Sequence, residues 1–408
     1  KTLFTKLTFI LLIFNQFFLF GQHQHQLTVE LLDQEKKLMV EQTLVFTNST
    51  GQSIEKLLLN DWNHSYSDQK TPLGKRFSDE HYRAFHLAKY KDRGSTNNLS
   101  ILSGKRDIME WCRLENHPDL IEVKLSKELQ PGEQVTLHLF YYLNIPNSKF
   151  TRYGYEIDGS FNLKNWFLTP ARMKDGSFIT YSNLNLDDIA NAPFDVDLKF
   201  KTVKNFKLTT DLNQGKIATD SLTQTFHFSG KNRTNFSLYV ETRATYSSFK
   251  NKVAEVVTNL EGTKADPIQK AIAVDRIVNY IHENLGAYPY EKITVSQVDY
   301  DRNPFYGLNQ LPSFLNPFTN EMLFELKFLK TYTNTFLQQT LSLDPRKDVW
   351  IFDAIQIYLM MDYIDTYYPD LKMMGNLSKY KIVKNYHLID LDFNDQYSYF
   401  YLLMARKN

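Results

Sequence analysis

The side chains that most often do catalytic chemistry are scattered through this sequence. It contains ten histidines, and no two of them have the His-x-x-x-His spacing that sets two imidazoles on one helical face as zinc ligands. His81 and His86 are five residues apart, about 140° around a helix, so they do not share a face. We therefore expect ordinary surface histidines whose hydrogen bonds are made. The spacing of the histidines alone predicts no metal site.

Motifs that activate a nucleophile or bind a nucleotide are also missing. No G-x-S-x-G turn, Walker loop or dinucleotide-binding glycine pattern occurs. The single cysteine, Cys112, allows neither an intramolecular disulfide nor a thiolate zinc cluster, and we expect a small buried hydrophobic residue there. No pair of carboxylates stands out as a general acid and base. Motifs alone assign no reaction.

Charge and composition exclude several classes of protein. The 408 residues include 47 Lys and Arg against 46 Asp and Glu, a formal net charge of +1, which creates no field to attract nucleic acid. Hydrophobic residues make up 42% and aromatic residues 14%, so the chain can bury a sizeable core. Its length favours two or three domains. We expect no nucleic-acid partner.

Residues 1–21 have the pattern of a secretory signal peptide. Lys1 and Lys6 both precede the apolar run 7–20. Gly21 supplies a small residue where a signal peptidase would cut. The run is shorter than the roughly 20 residues of a membrane-crossing helix, and a membrane anchor is the alternative. We expect an exported protein with no stable membrane span after signal removal. The lack of disulfides favours a bacterial envelope, with the protein periplasmic or secreted.

The hydrophobic period changes near residue 246. From 22 to 245 the apolar residues recur mostly at every second position, which predicts a β-sandwich. Within it, residues 129–133 (LQPGE) predict a tight turn that begins a strand at 135–142. The polar stretch 60–94 is predicted to contain one short helix near 79–89.

From 246 to 408 the period becomes helical. Asp266 and Pro267 have the types expected at the N-cap and first position of a helix that ends at Gly286. The predicted apolar face of this helix consists of Ile268, Ile272, Ile277, Ile281 and Leu285. A strand is predicted at 292–298, and helices at about 320–341 and 349–367.

An ordered set of short segments extends along the chain. It consists of LLLNDWNHSY at 57–66 with TP at 71–72, LQPGE at 129–133 followed by VTL, PFDVD at 193–197, and YPY at 288–290 after a glycine. In this order the segments resemble the aminopeptidase N type of zinc metallopeptidases, the gluzincins, in a degenerate bacterial form. The resemblance covers nearly all of the chain after the signal.

The resemblance implies an α+β fold. A saddle-like N-terminal β-sandwich at 22–245 would be followed at 246–408 by a thermolysin-like domain that runs from mixed α/β to mainly helical structure. The family's transition-state tyrosine and C-terminal helical domain would lie beyond Asn408, which implies a C-terminally truncated form.

The resemblance also locates the family's zinc site. The motif H-E-x-x-H falls on KTYTN at 330–334, and the third ligand falls on Asp353. The two histidines are thus replaced by Lys330 and Asn334, and the catalytic glutamate by Thr331. This register is supported by the flanking residues Asp348, Trp350 and Tyr358.

The family's substrate loop, G-x-M-E-x-P, falls on GLNQLP at 307–312. Gly307 is kept, but the glutamate that would bind a substrate's amino terminus is Gln310. A glutamine keeps the hydrogen-bonding oxygen and loses the charge, so it pairs less strongly with an ammonium group.

These replacements remove the chemistry of the family. An ammonium has no lone pair for a metal and repels a dication, so Lys330 is not a zinc ligand, and Thr331 is not a base near neutral pH. We predict no intact catalytic residue, no bound metal and no cofactor. An ion pair between Lys330 and Asp353 is expected in place of the zinc bridge.

Three functions remain open from the sequence. The leading one is an exported, non-catalytic aminopeptidase homologue that binds a peptide or an envelope protein. The first alternative is an active zinc aminopeptidase whose metal site is in another register or is completed elsewhere. The second is an unrelated structural envelope protein, in which the helices around Lys330 and Asp353 would not face each other across a cleft.

Overall fold

The computed structural model describes residues 23–261, 265–305, 318–372, 374–385 and 391–395. Within these residues the strands are β1 His23–Leu32, β2 Lys37–Thr47, β3 Ile54–Asn60, β4 Ser95–Ser103, β5 Trp111–Leu114, β6 His117–Leu129, β7 Gln134–Asn144, β8 Gly154–Tyr155, β9 Phe161–Lys164, β10 Thr169–Pro170, β11 Met173–Lys174, β12 Ser177–Phe178, β13 Phe194–Val203, β14 Lys207–Thr210, β15 Asn213–Thr219, β16 Thr223–Arg233, β17 Ser237–Glu241, β18 Ser247–Lys250, β19 Glu255–Thr258 and β20 Lys292–Val295. The α-helices are α1 Pro72–Asp79, α2 Arg83–His86, α3 Pro267–Leu285, α4 Gln297–Arg302, α5 Asn320–Thr340, α6 Val349–Tyr367 and α7 Lys381–Lys384.

The described residues form two compact units that interleave along the sequence. The first contains residues 23–146, 165–204 and 214–234, and the second contains 147–164, 205–213 and the described residues from 235 onward. Several strands from the β-rich part of the sequence therefore belong to the unit that contains the long helices.

The first unit is built on a seven-stranded sheet. Its order is β15-β16-β13-β1-β2-β7-β4, which places β1 in the middle, parallel to β13 and antiparallel to β2. Along β1 the buried and exposed side chains alternate, as the period-two pattern predicted. A four-stranded sheet, β10-β3-β6-β5, and the short pair β11-β12 complete the sheets described in this unit.

The predicted turn at 129–133 is confirmed. Gly132 has a φ of 80°, and the Glu133 amide donates to the carbonyl oxygen of Gln130 at 3.0 Å. This conformation favours glycine, which has no Cβ, at position 132. The strand after the turn, β7, is one to two residues longer at each end than the predicted 135–142.

The helix predicted near 79–89 in the polar stretch 60–94 is confirmed in part. Helix α2 lies within that range but has only four residues, and a further α-helix, α1, precedes it. Helix α1 begins at Pro72 because Thr71 caps it: the Thr71 hydroxyl accepts a hydrogen bond from the Gly74 amide at 3.1 Å. The Thr-Pro pair was the signal for this start.

The second unit combines two small sheets with the long helices. The sheets are β14-β17-β9-β8 and β18-β19-β20, and β20 lies parallel to β19. Helix α5 contacts α3, α6 and β20, and its side chains contribute to one hydrophobic core with them. The predicted helices at 320–341 and 349–367 are confirmed. The strand predicted at 292–298 ends at Val295, because Ser296 caps α4.

Helix α3 has the predicted ends but a different buried face. The Asp266 carboxylate accepts from the Gln269 amide at 3.1 Å, and Gly286 follows the last turn with a φ of 90°. Ile268 and Ile272 are 69% and 51% exposed, which corrects the predicted apolar face. The residues buried on α3 are Ala273, Val274, Ile277, Val278, Tyr280 and Ile281.

Two expectations about reactive side chains are also corrected. Cys112 is exposed, because it lies at an outward position of the short edge strand β5. The histidines are not all on the surface: His23 and His25 are buried on the inner face of β1. The predicted signal peptide lies outside the described residues.

Candidate functional site

Helix α5 positions the residues that replace the zinc motif. It begins at Asn320, where the Thr319 hydroxyl accepts from the Met322 amide at 3.2 Å. The helix is buried along most of its length, so side chains that would be solvated on a surface helix lie inside the second unit. Lys330, Thr331 and Thr333 are among these buried polar residues.

Lys330 is the most unusual of them. Its side chain is 2% exposed, and its Nζ donates to Asn303 Oδ1 at 3.0 Å. Burial lowers the pKa of Lys330 from 10.5 to about 8, and the negative charge of Asp353 opposes this shift without cancelling it. At neutral pH the residue is an ammonium ion in a place where a charge is poorly solvated.

Asp353 lies on α6, which packs against α5. The carboxylate is half-buried and near enough to Lys330 to act on its pKa. The Gln356 side chain, one turn further along α6, donates from Nε2 to the Lys330 carbonyl oxygen at 3.0 Å. The two helices therefore pack against each other at these positions.

Thr331 and Asn334, the other two substituted positions on α5, are compatible with a regular helix. The Thr331 hydroxyl donates to the Lys327 carbonyl oxygen at 2.9 Å, so it is engaged with the preceding turn of α5. Asn334 is half-buried one turn after Lys330. Gly307 and Gln310, predicted to bind substrate, lie outside the described residues.

Asn303 and Gln356 are contacts of Lys330 that the sequence did not reveal. Asn303 follows the last residue of α4, and the start of α4 is held by a buried polar cluster around Asp299. Asp299 accepts from the hydroxyls of Ser296 at 2.6 Å and Tyr239 at 3.0 Å, and from Tyr153. The cluster fixes α4 and with it the position of Asn303.

The charge of Asp299 is compensated within the same cluster. Burial by itself would raise the pKa of Asp299. The Lys164 ammonium at 3.5 Å and the three hydroxyl donors outweigh burial and hold the pKa below its usual value. A spacing-based search could not find this cluster, because its members come from β9, β17, α4 and the segment before β8.

A second buried carboxylate joins three helical segments of this unit. Glu325 of α5 is 3% exposed and accepts from the Arg276 guanidinium at 2.5 Å. The Tyr363 and Tyr368 hydroxyls also donate to it, the latter at 2.5 Å. The bonds to Glu325 are charge-assisted hydrogen bonds, and they join α5 to α3 and α6.

The side chains at the aligned positions do not fit a zinc ion. Zinc sites use three or four imidazole, thiolate or carboxylate ligands. Here one position is a buried ammonium bonded to an amide oxygen, and Asp353 is the single carboxylate of the set. Among the residues that the structure describes, no group of three or more His, Cys, Asp or Glu is arranged to hold a metal ion.

Comparison with solved structures shows a shared fold. The chain is similar to a mutant M1 zinc metallopeptidase of Deinococcus radiodurans bound to a Tyr-Ser-Ala substrate, with 14% identity and a TM-score of 0.50 over 85% of this chain and 70% of that one. The unmutated M1 zinc metallopeptidase of the same organism has 13% identity and a TM-score of 0.49 over the same shares. No protein-family model and no curated protein matches the sequence.

The likeness to the substrate-bound mutant structure and the elements of the chain confirm the expected α+β fold, with a sheet-rich N-terminal part and a helical C-terminal part. At this level of identity the likeness concerns the fold alone. Across the described ranges, no helix is both long and apolar enough to cross a bilayer.

Proposed function

We propose that the chain is an exported, catalytically degenerate relative of the zinc aminopeptidases. In this proposal it has kept the two-part fold, has lost the metal and the catalytic base, and binds a peptide or another envelope protein without hydrolysing it. The resemblance of the sequence and the shared fold support the relationship. The chemistry of α5 and α6 supports the loss of activity.

The observation that carries the proposal is the environment of Lys330. A buried ammonium repels a divalent cation, and its pKa of about 8 keeps it mostly protonated at neutral pH. Its bond to Asn303 and its attraction to Asp353 favour a positive charge at the position that corresponds to the family's first zinc ligand. Thr331, engaged with the Lys327 carbonyl, is no base.

A peptide is the favoured ligand class because the neighbour with the same fold is described as bound to a Tyr-Ser-Ala substrate. The alternatives are a structural envelope protein and an active zinc aminopeptidase, and the second of these is an enzyme with a metal site. The enzyme alternative requires ligands that lie outside the described residues or outside this set of positions.

The test combines metal analysis with hydrolysis. Purified protein is loaded with zinc, dialysed and analysed for its metal content, and it is assayed against aminoacyl anilides with and without a chelator. We expect less than a tenth of an equivalent of zinc, on the order of the background, and no chelator-sensitive hydrolysis. One equivalent of zinc together with chelator-sensitive turnover would establish the enzyme alternative.

A variant with the ligands restored provides the matched control. Lys330→His, Thr331→Glu, Asn334→His and Asp353→Glu together rebuild the H-E-x-x-H pattern and its distant glutamate. If the backbone has kept the family geometry, this variant binds zinc where the wild type does not. Peptide binding by the wild type, measured by calorimetry with a tripeptide library, tests the binding role separately from the loss of catalysis.

A further inference from the structure

Two buried histidines occupy the middle strand of the seven-stranded sheet. His23 and His25 are 8% and 1% exposed and lie on the same face of β1. Strand β1 is the fourth of the seven strands, between β13 and β2, so both imidazoles lie inside the first unit. Histidine is the side chain whose ordinary pKa lies nearest to neutral. Burial of two histidines on β1 therefore makes the pairing of this strand sensitive to pH.

A chain of hydrogen bonds determines the protonation of His25. The Leu168 amide donates to Tyr141 Oη at 3.2 Å, so the Tyr141 hydroxyl donates its single proton to Gln42 Oε1 at 2.6 Å. Gln42 Nε2 then donates to the Leu168 carbonyl oxygen at 2.7 Å and to His25 Nδ1 at 2.9 Å. His25 Nδ1 is an acceptor in this chain, and therefore carries no proton.

A backbone hydrogen bond likewise keeps Nδ1 of His23 without a proton. The Thr47 amide donates to His23 Nδ1 at 3.2 Å, and an amide N–H acts only as a donor. The His23 ring stacks on Phe46 with ring centroids 4.4 Å apart. The bond to Thr47 exists only while His23 Nδ1 has a free lone pair.

The surroundings of both rings disfavour a positive charge. His25 packs edge-on against Phe167 and Phe194, and its buried Nε2 has no hydrogen-bond partner among the residues that the structure describes. Among the described residues, the buried titratable and charged groups on the neighbouring strands are Tyr141 of β7 and Arg233 of β16, which lies opposite Phe194 of β13. Neither group neutralises an imidazolium ion.

The pKa values agree with this geometry. Burial lowers the pKa of His23 to about 4. Burial and then the neighbouring His23 lower the pKa of His25 to about 3. No carboxylate of the described residues contributes to either shift.

We propose that His23 and His25 form an acid-sensitive latch, in which proton uptake by either imidazole releases β1 from the seven-stranded sheet. Protonation places an N–H at Nδ1 against the donor N–H of Thr47 or Gln42, so a bond is replaced by repulsion. Because β1 is the middle strand, its release separates β13, β16 and β15 from β2, β7 and β4. The latch is regulatory and independent of the site on α5.

The sign and size of the effect follow from proton linkage. In the released strand both histidines regain an ordinary pKa of 6.5, so the open state binds more protons below that value. At about pH 5 each histidine increases the opening constant about 30-fold. Both together increase it on the order of 500-fold between about pH 7 and about pH 5.

Hydrogen exchange of the β1 amides measures this opening directly. Exchange is followed by mass spectrometry between about pH 7 and about pH 5 and corrected for the intrinsic pH dependence of exchange. Protection of residues 23–32 should fall on the order of several hundred-fold in the wild type. His23→Asn and His25→Asn place an amide oxygen where Nδ1 lies, so each variant keeps an acceptor that does not titrate. Each single variant should lose about half of the pH dependence on a logarithmic scale, and the double variant all of it.

His282→Asn is the matched control, because His282 is exposed on α3 and its replacement should leave the wild-type profile unchanged. Protection of β1 that is independent of pH in the wild type, or equal pH dependence in the wild type and the double variant, would overturn the proposal. If the double variant fails to fold, an NMR titration of the wild-type imidazoles decides the question. Imidazoles of His23 and His25 that stay neutral until the sheet opens support the latch, and titration near the ordinary value in the intact fold overturns it.

Discussion

Replacing Lys330 by methionine is expected to stabilise the second unit. Burial lowers the pKa of the lysine from 10.5 to about 8 despite the opposing charge of Asp353. At about 1.4 kcal/mol for each pH unit, the shift corresponds to about 3 kcal/mol of unfavourable free energy for the protonated side chain in the folded state. Loss of the hydrogen bond to Asn303 removes about 1 kcal/mol. The free energy of unfolding should therefore rise by about 2 kcal/mol at neutral pH.

The same shift predicts a pH dependence of definite sign. Between about pH 8 and pH 10.5, Lys330 is protonated in the unfolded chain and deprotonated in the folded chain. The free energy of unfolding therefore rises with pH in this window. Below this window both states are protonated, and the penalty is complete. Above it both are neutral, and the penalty is absent. The methionine variant should lack this rise.

Urea unfolding followed by far-UV circular dichroism at several pH values measures both effects. Lys347→Met is the control, because Lys347 is exposed before α6 and its replacement should change the free energy of unfolding by less than about 0.5 kcal/mol. The reasoning is refuted if the Lys330→Met protein is no more stable than the wild type at neutral pH and keeps the same rise in alkali.

Three further outcomes test the structure. Glu325→Gln removes the charge that pairs with Arg276 in a buried network, so thermal unfolding should show a loss of about 2 to 4 kcal/mol, and a loss under about 1 kcal/mol would contradict that network. Gly286→Ala meets no neighbouring atom within 4 Å but must adopt a φ of 90°, so a loss of about 1 to 3 kcal/mol is expected from backbone strain alone, and an unchanged melting temperature would argue against that conformation. Cys112 should react with one equivalent of a thiol reagent in the native state, whereas labelling that requires denaturant would show that it is buried.

Local features of the fold were predictable from the sequence, because each depends on a few neighbouring residues. The ends of α3 follow from Asp266, Pro267 and Gly286, and the bounds of α6 agree with the predicted helix. The turn before β7 follows from Pro131 and Gly132 in the same way.

Burial was less predictable. Ile268 and Ile272 have the right spacing for a buried face, but nothing in the described structure covers them. A helical period says which side chains share a face, and the elements packed against the helix decide which face is buried. The prediction that Cys112 is buried was wrong for the same reason, because β5 is an edge strand.

The candidate site divides in a similar way. The sequence alone, through its resemblance to a peptidase family, brought Lys330, Thr331, Asn334 and Asp353 into one hypothesis, and the periodicity that defines α5 and α6 is a local property of the chain. Tertiary structure alone decided that Lys330 is buried against Asn303, that Gln356 of α6 contacts its carbonyl, and that the chain passes repeatedly between two units. The physical reason is that desolvation and hydrogen bonding are set by atoms brought together from distant segments, and no pattern within one segment carries that information.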